Sequence, residues 1–288
     1  MARSFFKFLK LSMIKGSSIM ANSDYLMESA EEKLRLDLKT DPKTIQKQAL
    51  WAGIKPGMRV ADLGCGSGKT TVSLNGLVQP GGEVVGVDFS KDRIDYANQH
   101  YNEPGTEYVC LDIRNSLENL EQFDFIWIRF VLEYYLSSSF EIIKNVSKIL
   151  KPGGTLCLID LDHNCLNHFK LPVRVEKALF NIMEMVGKKF DFDPYAGRKL
   201  YSFLYDLKFE DIDVNLEAHH LIYGKLKEVD DFNWTKKVEV AARKSGYQFK
   251  DFSGGYDEFF KEFKAFFYDP KRFIYTPVIS CRGIKPLK

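Results

Sequence analysis

The sequence is poor in the residues that build covalent or metal frameworks. Its five cysteines, Cys65, Cys110, Cys157, Cys165 and Cys281, form no C-x-x-C pair and no Cys/His cluster at zinc spacing. That excludes a disulfide scaffold, leaves no metal expected, and points to a reduced, cytoplasmic compartment. Long apolar runs are missing as well: no stretch approaches the ~18 residues needed to span a bilayer, so no integral membrane segment is expected. Charge of one sign is not in excess, since 41 basic residues face 39 acidic ones for a net charge of +2. A nucleic-acid partner, which requires a basic footprint, is therefore not expected. No internal repeat or low-complexity segment interrupts the chain.

What is present is an ordinary globular composition, 45% hydrophobic and 28% charged over 288 residues, with aromatic enrichment. The 23 Phe and 14 Tyr crowd the second half, the pattern of an aromatic-rich core or an aromatic-lined cavity. Met1 to Lys15 carries Arg3, Lys7, Lys10 and Lys15 among Phe5, Phe6, Phe8, Leu9 and Leu11, with no acid. Lysines break its apolar run, so it is not a signal peptide, and residues 1–22 read as a basic flexible leader. A basic amphipathic membrane-surface helix is the other reading of that segment.

Tyr25 to Lys39 has helical spacing, and Asp41-Pro42 supplies an N-cap and first-turn proline for a second helix ending at Gly53. Strands and helices then alternate. Strands are predicted at 59–63, 83–87, 107–111, 123–128 and 155–159, with helices at 67–77, 90–101 and 139–150. Near-continuous apolar strands spaced by helices imply a parallel sheet covered on both faces. Ligands of such sheets lie at the carboxyl ends of the strands, where Asp62, Asp88, Asp112, Arg129 and Asp160 all fall. Beyond His163 the alternation stops. Helices are predicted at 169–188, 197–207, 229–244 and 255–268, and strands at 212–223 and 273–280. In the first of these strands Ile212, Val214 and Leu216 alternate with polar residues. Pro277 places the last strand near an edge or with its missing N–H outward.

Asp62-Leu63-Gly64-Cys65-Gly66-Ser67-Gly68-Lys69-Thr70, between a strand and a helix, admits three readings. A phosphate-binding G-x-x-x-x-G-K-[ST] loop needs a glycine where Leu63 stands, and Asp62 would repel the phosphates. A G-x-G-x-x-G dinucleotide fingerprint needs a glycine where Lys69 stands, although Asp88 lies where a ribose-binding acid would. The third pattern, Asp-x-Gly-x-Gly-x-Gly, is complete, and its acid suits a cationic ligand without phosphates. Together with Pro56-Gly57-Met58-Arg59-Val60, Val84-Val85-Gly86-Val87-Asp88-Phe89-Ser90, Phe123-Asp124-Phe125-Ile126-Trp127 and Leu150-Lys151-Pro152-Gly153-Gly154-Thr155-Leu156, it resembles the class I S-adenosylmethionine-dependent methyltransferases. The likeness is strongest to the ubiquinone/menaquinone-biosynthesis-like small-molecule branch.

The resemblance implies a Rossmann-like, doubly wound α/β fold with a mostly parallel seven-stranded sheet, its last strand antiparallel. It implies one methyltransferase domain over residues 23–288. Residues 23–163 would bind the cofactor, and 164–288 would complete the sheet with helical acceptor-site insertions at about 164–210 and 225–270. The cofactor would be S-adenosyl-L-methionine, leaving S-adenosyl-L-homocysteine. Asp62 would hold its ammonium, Gly64, Cys65 and Gly66 its methionine part and ribose, and Asp88 the ribose hydroxyls. Phe89 and Ile113 would pack on adenine, Asp112 would take its amino group, and Arg129 and Phe130 would lie at the amino-acid end. Tyr25 and Arg35 would belong to an N-terminal lid. For a proton acceptor the candidates are His163, ranked first, then Asp160 and Glu133, with Asp162, Tyr134, His219 and His220 behind. The expected activity is methyl transfer to a small organic acceptor. A non-catalytic protein binding the same cofactor or its product, or a nicotinamide-dependent oxidoreductase, would share most of these features. The Asn/Asp-Pro-Pro-Tyr-like motif of nucleic-acid methyltransferases is replaced by Arg129-Phe130-Val131-Leu132. The sequence leaves the oligomeric state open.

Overall fold

The computed structural model describes residues 41–164 and 166–287; the leader and the helix expected over Tyr25 to Lys39 lie outside them. The described chain enters through α1 (Pro42–Ala52). Asp41 caps this helix with its carboxylate, accepting from the N–H groups of Lys43 and Thr44 at 3.2 and 3.3 Å, and Pro42 occupies a position where no N–H is needed. Five parallel strands then alternate with helices: β1 (Arg59–Leu63), α2 (Lys69–Val78), β2 (Glu83–Asp88), α3 (Lys91–His100), β3 (Thr106–Cys110), β4 (Phe123–Arg129), α4 (Ser139–Val146) and β5 (Leu150–Leu161). The second half adds β6 (His168–Phe169), α5 (Val173–Phe190), α6 (Leu200–Asp206), β7 (Glu210–Tyr223), α7 (Glu228–Ser245), α8 (Gly255–Tyr268) and β8 (Phe273–Ile284).

The sheet runs β3-β2-β1-β4-β5-β8, with β7 along the far side of β8 and the pairings of β8 with β5 and β7 antiparallel. It is the expected doubly wound architecture with one strand more. The extra strand, β6, pairs with the start of β8 just past the point where β5 ends at Leu161↔Val278. Phe169 was expected to begin a long helix, but Leu171-Pro172 holds the chain extended and delays α5 to Val173. Pro277 falls inside β8, a strand paired on both sides, rather than at an edge. A bulge in β7 between Ala218 and His220 stands opposite it and absorbs the missing donor.

Side chains alternate across each strand, so each strand feeds two cores. Val60, Val84, Phe125, Trp127 and Ile159 meet α1 and α2 on one face. Ala61, Val87, Ile126, Ile128 and Leu158 meet α4 and α6 on the other. This is why these strands read as unbroken apolar runs. A third core belongs to the second half alone: α5, α7 and α8 close around Trp234, Phe259, Phe263 and Phe267, resting on Ile222 and Ile274 at the sheet's end. Most of the aromatic excess is thus packed as core. Phe263 is fully buried there, and Phe263→Ala is expected to lower unfolding free energy by about 3–5 kcal/mol in denaturant titration. Tyr201→Ser, at a position 49% exposed, should change it by no more than about 0.5 kcal/mol.

Candidate functional site

The turn from β1 into α2 lies at the carboxyl edge of the sheet and is shaped by close backbone approach. Gly64 and Cys65 both donate their N–H groups to the carbonyl of Val87, at 2.7 and 3.0 Å, tying the turn to the end of β2. Gly64 has φ +83°, and a Cβ there would lie 2.3 Å from Val131 Cγ2. Gly68 has φ +94°, and a Cβ there would lie 2.8 Å from Ala97 Cβ and 2.9 Å from the Tyr108 hydroxyl. Both positions require glycine for conformation and for space.

Asp88 at the end of β2 is buried and closes the turn from the other side. Its Oδ2 accepts from the Gly66 N–H at 3.0 Å, its Oδ1 accepts from the Ser90 N–H at 2.9 Å, and Arg93 Nε lies 3.4 Å from Oδ1. One carboxylate therefore joins the glycine turn, its own strand end and the start of α3. Asp62, one strand over, is also buried, and Thr71 in the first turns of α2 donates its hydroxyl to it at 2.7 Å. Burial pushes the Asp62 carboxyl up to about 7; the Thr71 hydrogen bond opposes this, Asp88 reinforces it and Arg129 opposes it. The field in this turn is negative. A phosphate nest would need the Gly66 N–H that Asp88 already holds.

The neighbouring strand ends bring further candidates to the same edge. Phe89 is 40% exposed, and the Arg93 guanidinium lies against its ring, 4.9 Å from the centroid. Asp112, after β3, receives the Arg114 side chain and backbone N–H. Burial raises the Asp112 carboxyl, but Arg114 outweighs it and holds the group below its ordinary value. Ile113 is buried, and its carbonyl accepts from Asn145 Nδ2 at 3.1 Å. Arg129 ends β4, donates Nε to Gln48 Oε1 at 3.1 Å, and stacks 4.0 Å from the Phe130 ring centroid. Burial pushes its guanidinium down to about 10, against the pull of Asp160 and Asp62. Phe130 has φ +58° and meets the His219 ring at 4.8 Å. Tyr25 and Arg35 lie outside the described residues.

Beyond β4 and β5 the acids gather. Asp160 is fully buried, and its two oxygens accept from the N–H groups of Leu161 and Glu133 at 2.8 and 3.1 Å. Burial, then the Glu133 carboxylate, hold the Asp160 carboxyl well above the usual range. Glu133 Oε2 accepts from Asn164 Nδ2 at 2.8 Å. Asp162 is held by a two-pronged pair from Arg198, at 2.8 and 3.0 Å. His163, at φ +47°, turns its ring edge-on to Tyr195 with centroids 5.1 Å apart. His219 and His220 stand side by side on β7, linked through Trp234 to His168, whose imidazole burial lowers to about 4.

The partners that set these geometries, Thr71, Arg93, Arg114, Gln48 and Asn164, are absent from the sequence reading. Thr71 and Arg93 lie within the first turn of the helix after their strand, a spacing that allows such a contact. Gln48 and Asn164 act across 81 and 31 residues, and no local pattern announces them.

A methyltransferase-domain family model matches residues 54–208, more than half of the chain. Among curated proteins, the demethylmenaquinone methyltransferase of Bacillus cytotoxicus is 32% identical over 141 residues, covering 48% of this chain and 58% of that protein. The ubiquinone biosynthesis O-methyltransferase of Coxiella burnetii is 33% identical over 129 residues, covering 44% of this chain and 53% of that protein. The chain thus spans little more than half the length of these relatives. Among solved structures, Haemonchus contortus phosphoethanolamine N-methyltransferase 2, in complex with S-adenosylhomocysteine, superposes with a TM-score of 0.57 at 14% identity, covering 91% of this chain and 59% of that one. With the strand order, the glycine turn and the strand-end carboxylates in place, the chain belongs to the class I S-adenosylmethionine-dependent methyltransferase family.

Proposed function

We propose that this protein transfers a methyl group from S-adenosylmethionine to a small organic acceptor by in-line displacement. The observation that carries the reading is the row of carboxylates Asp62, Asp88 and Asp112 on three adjacent strand ends around a turn whose Gly66 N–H is already engaged. Such a site disfavours phosphates and favours a nucleoside bearing ammonium and sulfonium charge. The close backbone approach at Gly64 leaves a side-chain-free cradle. Gln48 Nε2, buried and without a hydrogen-bond partner among the described residues, offers a donor beside Arg129.

In this reading Asp62 holds the ammonium, and the backbone of Gly64, Cys65 and Gly66 lies along the methionine part and ribose. Asp88 accepts from the ribose hydroxyls with lone pairs not used by the two backbone donors. Phe89 and Ile113 flank adenine, and Asp112 shares its carboxylate between Arg114 and the adenine amino group. Arg129 and Phe130 border the amino-acid end, and Tyr25 and Arg35 belong to the covering segment. Bound S-adenosylmethionine supplies an electrophilic methyl group and a good leaving group, so alignment and exclusion of water are the chain's main tasks. The helices of 164–210 and 225–270 roof the acceptor side. The rings of Phe130, Tyr134, His163, Tyr195 and His219 there favour a planar, largely apolar acceptor, as the names of the demethylmenaquinone and ubiquinone-biosynthesis relatives also do. The four described free cysteines support a cytoplasmic location.

Where the acceptor must lose a proton, His163 takes it. Asp160 is a positioning residue, since both its oxygens bind backbone N–H groups, and Glu133 is held by Asn164. His163→Ala should lower turnover at least about a hundredfold while leaving cofactor affinity unchanged; unaltered turnover would refute the assignment. Calorimetry with S-adenosylmethionine and S-adenosylhomocysteine tests the cofactor, and failure of both to bind overturns the proposal. Homocysteine-product release across an acceptor screen separates an enzyme from a binder.

Asp62 gives a pH prediction with a definite sign. Its folded-state carboxyl, at about 7 against an ordinary 3.8, favours the protonated form. The ligand-free protein therefore loses stability as pH rises from about 4 to 7, while affinity for the cationic cofactor rises through the same group's ionisation up to about pH 8. Asp62→Asn should stabilise the ligand-free protein at pH 8 by on the order of 2–4 kcal/mol. The same variant should lose at least about tenfold in cofactor affinity and the pH dependence with it. A variant destabilised at pH 8, or one that keeps its affinity, contradicts this role.

A further inference from the structure

Strand β7 presents its alternating pattern with the apolar side outward. Asp213 and Glu217 lie on the side of α1, where Glu217 pairs with Lys47 and Asp213 with Arg282. Leu216, Leu221 and Tyr223 point the other way and are 66%, 51% and 64% exposed. Leu221 stands opposite Tyr275 and Tyr223 opposite Phe273, and Phe273 is flanked on its other side by Phe169 of β6. These three aromatics are 42%, 42% and 58% exposed. Three adjacent strands therefore form one apolar face with no charge on it, left in water. Contiguous patches of this kind mark interaction surfaces.

Its rim identifies the partner. The three loops at this end of the sheet carry Lys170, Lys225, Lys227 and Lys271, all exposed. The acid among those loops, Asp269, is occupied with the Lys271 backbone N–H at 2.8 Å. Just beyond, α7 opens with Glu228, Asp230 and Asp231, the last held by Tyr268 and Thr235. Phenylalanine and tyrosine ringed by lysine match a bilayer surface: the rings enter the headgroup boundary and the ammonium groups reach anionic headgroups. A second copy would bring four more lysines to the same rim. No helix among the described residues is long and apolar enough to cross a membrane, so contact here is peripheral. We infer that this face docks the protein on an anionic lipid surface. Because Tyr223 and Phe273 lie past the end of β5, docking sets the carboxyl edge of the sheet near the lipid. The inference does not depend on methyl transfer.

The test is flotation of the full chain with phosphatidylglycerol/phosphatidylcholine vesicles and with phosphatidylcholine alone. The expected result is capture by the anionic vesicles. Capture should fall at least about tenfold in Tyr223→Ser/Phe273→Ser/Tyr275→Ser and in Lys170→Gln/Lys225→Gln/Lys271→Gln. Both variants should keep the parent's thermal unfolding midpoint and S-adenosylhomocysteine affinity, because every altered side chain is exposed. The inference fails if the parent ignores anionic vesicles. It fails equally if both variants float like the parent, which would transfer lipid binding to the basic residues 1–22 or another surface. It also fails if the aromatic variant converts a dimer into a monomer by sedimentation without any change in flotation.

Discussion

The carboxylate of Asp88 is the interaction on which the site depends. It is the one group that touches the glycine turn through Gly66, the end of its own strand through Ser90, and α3 through Arg93. Charge-assisted bonds to backbone N–H groups are among the stronger hydrogen bonds in proteins, and these are shielded from water. The turn needs such a restraint, because Gly64, Gly66 and Gly68 all adopt left-handed φ and would otherwise be its loosest part. The same contact sets the chemistry. With one turn N–H engaged by a carboxylate and a second buried acid at Asp62, the field in the cradle is negative, which is the ground for the proposed cationic ligand.

Asp62 carries the cost of that design. Its ionisation in a buried position is unfavourable in the ligand-free protein. Under the proposed function a cationic ligand would relieve that cost, a trade of stability for recognition. Arg129 answers the same problem from the opposite sign: its guanidinium lies between the Asp62 and Asp160 fields and stays charged although burial opposes it. These opposed buried charges sit on neighbouring strand ends and act on one another through the field, without a direct ion pair between Arg129 and either acid among the described residues.

The first half of the fold was legible because every local signal there agreed. Apolar runs, the Asp41-Pro42 cap, glycine turns and acids at strand ends all specify one doubly wound sheet, and the bounds of β1 to β4 fall within a residue of those read from the pattern, while β5 starts five residues earlier, at Leu150, than the apolar run marks. The candidate site was legible as strand-end positions but not as a network. Thr71 and Arg93 stand in the first helical turn after their strands, within reach of a local reading, whereas Gln48 and Asn164 reach their partners through tertiary packing that a single sequence does not announce. Past Asp160 the signals conflict. Pro172 cuts short a helix that periodicity would extend, and Pro277 sits mid-sheet because a bulge on the neighbouring strand accommodates it.

The alternation in β7 was the most misleading signal and is the most informative one. A half-buried strand is expected to turn its apolar side to the core; here Glu217 and Asp213 face α1 and the apolar side faces water. Folding does not demand this, since β7 is held by its pairing with β8 and Ile222 alone of β7 is deeply buried. An edge strand with an exposed, uncharged face invites aggregation, and proteins ordinarily place lysines on such a strand to prevent it. In this chain the lysines stand in the loops around the face instead of on it, which protects the solution state while leaving the apolar surface intact for contact. Local rules broken without a structural gain are where function is to be sought, and β7 breaks one along most of its length.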